Sequence, residues 1–380
     1  MTKKIAFFKF ASFSLVNKHL LEHLRREFAG TVWDEIDAEQ IYQRRSPANL
    51  IYSLFFYFWD ILRAKRSIRG MIIHSPYYFR QLKKQVGQKL NLSDYDFTFQ
   101  TQSLWDLSTP DRPHFVFTDH TELAYKRYAL LERPIYPQGW LDCEKKVYEN
   151  ADLIFTTSDF CAQSVIEDYD IAPEKVICVH SGINLKDGLD NPSDKQYDSK
   201  NILFVGVQWK RKGGPQLVKA FAKVRNLHPD ATLTIVGIER DDVEPEFRDV
   251  DGVTFTGFIK SDQLRQYFLD AQVFCLPSII DPSAVALVEA YNYFLPVVST
   301  FVGGTPSRVI EGKTGLLTEP NDVDGLVERL DQLLSNSDKC REFGANGNKL
   351  MKENFTWEQV SRKIKNHIDL FLEKKHDQTA

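Results

Sequence analysis

Phe204-Val205-Gly206-Val207-Gln208-Trp209-Lys210-Arg211-Lys212-Gly213-Gly214 decides how this chain is read. An apolar run enters a glycine, three cations follow, and a glycine pair opens the next segment. A strand that turns this way into a helix is the repeating unit of an α/β sheet. The helix amides, with Lys and Arg side chains beside them, suit a phosphate or pyrophosphate. A solvated basic turn at a helix start would use the same residue types, so the pattern alone leaves both readings open. Gly206, Arg211 and Lys212 are the candidate anion-binding residues.

On the C-terminal side, apolar runs at 232–238, 253–258, 273–277, 296–300 and 315–318 read as buried strands. Helical patterns separate many of them, which predicts βαβ crossovers and parallel sheets covered on both faces. On the N-terminal side, strands are expected at 5–10, 97–100, 115–118, 153–157 and 176–180. An amphipathic helix is expected at 14–28, with Leu20, Leu21, Leu24 and Phe28 near one face. A polar stretch at 186–200, with Gly188, Pro192 and four aspartates, breaks the two halves. The expected fold class is α/β: two Rossmann-like, doubly wound domains facing a cleft, at 1–188 and 196–380. The helical pattern at 357–372 would pack back on the first of them. Ligands of such sheets bind at the carboxyl ends of strands, so the residues just after each strand matter most.

The chain has 380 residues, 43% hydrophobic and 26% charged, ordinary values for a globular protein long enough for two domains. Its net charge of −4 argues against a whole-molecule electrostatic nucleic-acid binder. Five scattered cysteines, with no pair at metal-ligand spacing, read as reduced thiols in a reducing compartment. The N-terminus turns polar too soon for a secretory signal, so a cytoplasmic protein is expected. The apolar stretch 50–62 is too short to span a membrane and contains Asp60.

A second cluster runs Leu276-Pro277-Ser278-Ile279-Ile280-Asp281-Pro282-Ser283-Ala284 and on to Glu289. Pro282 suits the first turn of a helix, with Asp281 as its cap and Glu289 two turns further on the same side. Glu289 lies among Val285, Ala286, Leu287, Val288 and Ala290, so burial there needs a polar partner such as a ribose hydroxyl. A partly exposed glutamate is the alternative. A third feature, Gly303-Gly304, follows the strand at 296–300; such a pair would let a ligand approach the backbone closely, and an ordinary tight turn, which the pattern alone favours, uses the same residues.

Taken together these residues resemble the family 4 retaining glycosyltransferases of GT-B fold, over about 115–334. Gly206 with Arg211-Lys212-Gly213 matches one family element. Asp281 and Glu289 stand where the family has two glutamates. Leu295-Pro296-Val297-Val298, Gly303-Gly304 and Gly315-Leu316-Leu317 follow in the family's order. Phe115 to His120, Ala151 to Ser158 and His180-Ser181-Gly182-Ile183 are similar to segments of its first half. The resemblance implies a cytoplasmic transferase that moves a sugar from a nucleotide diphosphate carrier to a saccharide or lipid-linked acceptor, with no metal or other cofactor. It implies that Arg211 and Lys212 neutralise the diphosphate, Glu289 holds the ribose, Asp281 touches the donor sugar and His120 lines the acceptor side. Ser283, Ala284, Gly303 and Gly304 would offer backbone near the donor. The sequence departs from the family at Asp281, a shorter acid, at Pro282, Ala284 and Phe294, where glycines are common, and in its first loop. A degenerate scaffold or nucleotide-binding protein on the same fold is the alternative.

Residues 61–90 hold Arg63, Lys65, Arg66, Arg69, Arg80, Lys83, Lys84 and Lys89 and no acid, directly after an aromatic run. A membrane-docking surface toward anionic lipid or an anionic acceptor would have this composition, and so would a core helix followed by a solvated basic one. Four Asp-x-Asp pairs, at Asp94, Asp168, Asp249 and Asp322, lack a common strand context and read as surface.

Overall fold

The computed structural model describes residues 3–10, 15–42, 46–58, 68–128, 135–185, 187–260 and 263–379. Contacts divide the chain into two units, Met1–His180 with Val360–Ala380, and Ser181–Gln359. Each is built on a six-stranded parallel sheet, as the alternating pattern predicts.

In the first unit, β1 (Lys4–Lys9), β2 (Val32–Asp37), β3 (Phe97–Thr101), β4 (His114–Thr118), β5 (Leu153–Thr156) and β6 (Val176–Cys178) lie in the order β2-β1-β3-β4-β5-β6. β3, β4 and β5 are buried along their whole length; β4 and β5 carry apolar runs, whereas β3 alternates Phe97 and Phe99 with Thr98 and Gln100, whose side chains are hydrogen-bonded in the interior. β2 carries Asp34, Glu35 and Asp37 and buries only Trp33 fully, as an edge strand can. Its hydrophobic signal is therefore faint, and it is the one strand of this sheet that the sequence reading passes over. The helix Trp357–Thr379 belongs to this unit from Val360 on. Val360, Ile364 and Ile368 are fully buried, at helical spacing. Phe371 sets its ring edge against Phe115 at 5.7 Å, and the Lys365 ammonium lies over the Phe28 ring. The expected return of the last helix to the first domain is thus observed.

In the second unit, β7 (Asn201–Val205), β8 (Thr232–Val236), β9 (Val253–Phe255), β10 (Val273–Leu276), β11 (Val297–Thr300) and β12 (Gly315–Thr318) lie in the order β12-β11-β10-β7-β8-β9. The chain moves outward from β7 to β9, then restarts on the other side of β7 at β10. β7 and β10 are hydrogen-bonded neighbours in parallel, with Ile202 level with Val273. Their following loops leave from the same end of the sheet, where the winding reverses. This is the topological switch point, the position at which doubly wound sheets take ligands.

The unit boundary falls at His180–Ser181, before the polar stretch at 186–200. Leu185, Leu189 and Tyr197 explain the difference, because all three are buried in the core of the second unit. Lys195 is buried too, donating from Nζ to the Phe268 carbonyl at 2.8 Å at the end of the helix Leu264–Asp270.

Candidate functional site

The loop after β7 and the loop after β10 are tied together at the switch point. Lys212 Nζ reaches Asp281 Oδ2 at 2.5 Å, and Arg211 Nη1 donates to the Ile280 carbonyl at 2.7 Å. Gly213 lets the loops meet. Its φ is +75°, and a Cβ there would lie 1.8 Å from the Pro277 carbonyl oxygen, which no side chain can accept. The helix Gly214–Leu227 then starts from this point.

Asp281 is 3% exposed and fully engaged. Oδ1 accepts from the Ala284 amide at 2.8 Å; Oδ2 accepts from Ser278 Oγ at 3.1 Å and from Lys212. Burial works to raise this carboxyl, but the Lys212 ammonium, with Arg211 behind it, holds it below the usual carboxylate range. Burial pulls the Lys212 ammonium below its usual value, against the attraction of Asp281.

Two expectations for this loop are corrected. The helix spans Val285–Tyr291, so Asp281 and Pro282 precede it, and Asp281 binds the amide of Ala284 rather than capping the first turn. Asp281 and Glu289 therefore do not share two turns of one helix. The cause is Ala284, which adopts φ 42° and ψ 46° and swings the chain into the helix. Phe294 likewise has φ 56°. Two of the three residues at which the resemblance expects glycine, Ala284 and Phe294, thus keep a left-handed, glycine-like backbone, at a cost of roughly 1–2 kcal/mol each, while Pro282 does not.

Glu289 is partly buried, and its Oε1 accepts from the Asn184 amide at 3.2 Å. Burial raises its carboxyl, with the Asn184 amide and Arg308 opposing. Arg308 is a site residue that sequence reasoning missed. Its side chain is wholly buried, donates from Nη2 to Ser181 Oγ and Ser283 Oγ, each at 2.8 Å, and lies over the Phe355 ring. Nothing in the local pattern marks it, because its partners come from three distant segments. The Gly303–Gly304 turn joins the same assembly: Gly303 has φ 52°, and the Gly304 amide donates to the Asp281 carbonyl at 2.9 Å. Gly206, at the end of β7, donates its amide to the Val236 carbonyl at 3.0 Å.

In the first unit, a pocket of about 220 Å³ opens at the carboxyl ends of β3 and β4. It takes in His120, whose ring stacks on Tyr125 at 4.3 Å between centroids. His120 Nδ1 donates to the Thr121 carbonyl, which makes Nε2 the accepting nitrogen, 3.5 Å from the Tyr128 hydroxyl. Glu144 lines the pocket floor and accepts from Ser103 Oγ at 2.9 Å, from the Glu122 amide and from the hydroxyls of Tyr148 and Tyr169. Burial pushes its carboxyl up to about 7 despite these donors.

The cationic stretch divides. Arg80, Lys83 and Lys84 are exposed on the helix Pro76–Lys89, with Lys83 held by Asp106 at 2.6 Å. Arg63, Lys65 and Arg66 lie outside the described residues, as does the side chain of Arg69, which stands on the helix Ile68–Ile73. The preceding helix Pro47–Phe56 buries Asn49 and Ser53 and turns Ile51 and Phe55 outward, at 68% and 85% exposure. Among the described residues no helix is long and apolar enough to cross a membrane, and no group of three His, Cys, Asp or Glu is placed to hold a metal ion. The Asp-x-Asp pairs serve local ends: Asp168, Asp249, Asp251 and Asp324 pair with arginines or a lysine, and Asp322 caps the helix Val323–Leu334.

Two Rossmann-like units, one with cations at its switch point, define a GT-B glycosyltransferase. The family of glycosyl transferases group 1 matches residues 186–350, and Glycosyltransferase Family 4 matches residues 60–187. The chain belongs to these family 4 glycosyltransferases. It is 26% identical, over 67% of its own length and 66% of the relative's, to a D-inositol 3-phosphate glycosyltransferase of Corynebacterium urealyticum. Two solved structures share the fold. Sucrose-phosphate synthase of Thermosynechococcus elongatus superposes with a TM-score of 0.73 at 19% identity, over all of both chains. Anabaena HepE in complex with UDP and glucose does so with 0.67 at 16% identity, over 97% of this chain and 99% of that one.

Proposed function

We propose that this protein is a retaining, metal-independent glycosyltransferase that passes a sugar from a nucleoside diphosphate carrier to a saccharide or lipid-linked acceptor in cell-surface polysaccharide or glycolipid assembly. One observation carries the reading: Arg211 and Lys212 stand at the switch point of the second sheet, beside Asp281. The carrier's diphosphate would lie against these two cations. It is the leaving group, and it gains charge as the bond from the anomeric carbon to the phosphate oxygen breaks. The acceptor hydroxyl would attack from the same face and give its proton to the departing phosphate oxygen, which retains the configuration and needs no protein nucleophile. Glu289 would accept from the ribose hydroxyls. Asp281, already held by three donors, would position Lys212 and the Ser283–Ala284 backbone rather than reach for the sugar. His120 would line the acceptor side. The left-handed backbone kept at Ala284 favours a working donor loop over a degenerate one.

The test is thermal stabilisation by UDP, GDP, ADP and CMP, with and without chelator, followed by turnover of the matching nucleotide sugars. Stabilisation by one nucleotide that survives chelation, then a product of retained anomeric configuration, is the expected outcome. No stabilisation by any of them would overturn the reading.

We further propose that the first unit docks peripherally on anionic lipid. The outward Ile51 and Phe55 supply the apolar face; Arg80 and Lys84 supply the charge. Flotation with anionic vesicles, lost in Phe55→Asp, tests it. Failure of the wild-type protein to float, or equal flotation of the variant, would sink it.

A further inference from the structure

Arg308 has no part in the transfer proposed above, yet it is buried more completely than Asp281. It follows the short turn Thr305–Ser307, and its guanidinium lies over the Phe355 ring, 5.0 Å from the centroid. Taking a guanidinium out of water is costly, and an apolar side chain of similar volume would fill such a place without that cost. An arginine kept there against stability points to a task.

It grips the loop after β10. Arg308 Nη2 donates to Ser283 Oγ and to Ser181 Oγ, each at 2.8 Å. In the turn just before it, the Gly304 amide donates to the Asp281 carbonyl at 2.9 Å, so residues 304–308 hold that loop at two points. Asp281 in turn holds Lys212. Ser283 is thus fixed close in sequence to the carboxylate that pairs with a candidate diphosphate cation.

The hydroxyl protons decide what Ser283 can do. Both serine oxygens accept from the guanidinium, which leaves their O–H groups to donate. The two oxygens lie 3.4 Å apart, longer than the usual hydroxyl bond of about 2.5–3.0 Å, so neither satisfies the other well. Among the described residues neither hydroxyl has a further acceptor. Ser181 is buried, but Ser283 is only half-buried, and its proton can turn outward. Accepting from a cation makes that O–H a stronger donor, and an anionic oxygen is its natural partner.

We infer that Ser283 donates from Oγ to a phosphate oxygen of the nucleotide carrier, and that Arg308 is the positioning residue that aims and polarises this hydroxyl. This rests on the glycosyltransferase reading for the carrier. Arg308 acts through Ser283 because its own side chain is wholly buried. Its charge also reaches Glu289, where it opposes the rise that burial gives that carboxyl.

Calorimetric titration of the full chain with UDP, GDP, ADP and CMP identifies the nucleotide that the wild type prefers. Ser283→Ala, Arg308→Met and the double variant are then titrated with it. Ser283→Ala should bind about tenfold more weakly, the worth of one charge-assisted hydrogen bond, with an unchanged Tm. Arg308→Met should weaken binding at least as much, while its ligand-free Tm holds or rises. Once Arg308 is gone, removing the Ser283 hydroxyl as well should change affinity by less than about twofold. An arginine that merely fastened three segments together would behave in the opposite way, with a lower Tm and full affinity in the folded variant. That result overturns the inference, as do losses that multiply in the double variant. Unchanged affinity in Ser283→Ala overturns it alone, however Arg308→Met folds. If no nucleotide binds the wild type, the transferase reading falls and takes the inference with it; wild-type binding keeps that reading whatever the variants do.

Discussion

Replacing Lys212 by alanine separates two roles that one side chain combines. In the folded protein its ammonium is the only cation within ion-pairing distance of Asp281, among the described residues, and the Asp281 side chain is 4% exposed. Removing one partner of a buried pair costs about 3–5 kcal/mol, because the remaining charge is stranded. Asp281 keeps the Ser278 hydroxyl and the Ala284 amide, which argues for the lower end, about 3 kcal/mol. For a unit of this size that is a fall in Tm of roughly 6–12 °C by calorimetry. Turnover should fall separately, by about 10²–10³, through lost stabilisation of the leaving diphosphate. The double variant Lys212→Ala/Asp281→Asn discriminates the two effects. An asparagine can still accept from Ala284 and donate to Ser278 with no charge to strand, so stability should largely return while turnover does not. The pH dependence has a definite sign. Asp281 is held below its ordinary value of 3.8, so its contribution is present above that value and is lost as pH falls through its folded-state value. The gap between wild type and Lys212→Ala should therefore narrow below about pH 4. An unchanged Tm in the single variant, or turnover restored in the double one, would refute the reasoning.

Glu289→Ala should weaken binding of the preferred nucleotide about tenfold by calorimetry, while leaving Tm without ligand nearly unchanged; equal affinity would remove Glu289 from the site. Ala284→Gly should raise stability by about 1 kcal/mol or less, since relief of the left-handed strain is partly offset by the entropy of glycine in the unfolded chain. A loss of stability in chemical denaturation would show that the alanine methyl packs better than its backbone suggests. Glu144 binds its proton more tightly folded than unfolded, so its contribution is fully present below the unfolded value of 4.5 and is lost as pH rises through about 7. Wild-type stability should slope downward across that window by up to about 3 kcal/mol, and Glu144→Gln should flatten the slope; parallel curves would refute this.

Much of the second unit was legible from residue order. Strands buried on both faces write themselves as apolar runs, as β10, β11 and β12 do, and β7 buries its Ile202-Leu203-Phe204 centre in the same way. The basic turn at Arg211–Lys212 was legible too, because its residues are contiguous and follow a strand. What escaped depends on partners distant in the chain. Arg308 is meaningful only with Ser181, Ser283 and Phe355 around it. The Asp281 carboxylate looked like a cap until the left-handed turn at Ala284 moved the helix start beyond it. β2 was hidden by its own acids, tolerable at a sheet edge. The segment 50–58 was read by its apolarity, but the helix there turns Asn49 and Ser53 inward and Ile51 and Phe55 out, an arrangement that composition cannot reveal.

The last helix has a consequence for how the chain is made. Phe28 and Phe115 in the first unit are covered in part by Lys365 and Phe371, which are translated only after the whole of Ser181–Gln359. At 5–20 residues per second the ribosome leaves that apolar surface waiting for roughly ten to forty seconds. The first half of the gene product is thus born incomplete, an interval in which a chaperone would have something to hold. A chain cut at His180 to obtain this half alone would make that interval permanent, whereas one with residues 360–379 grafted back on would regain the missing cover.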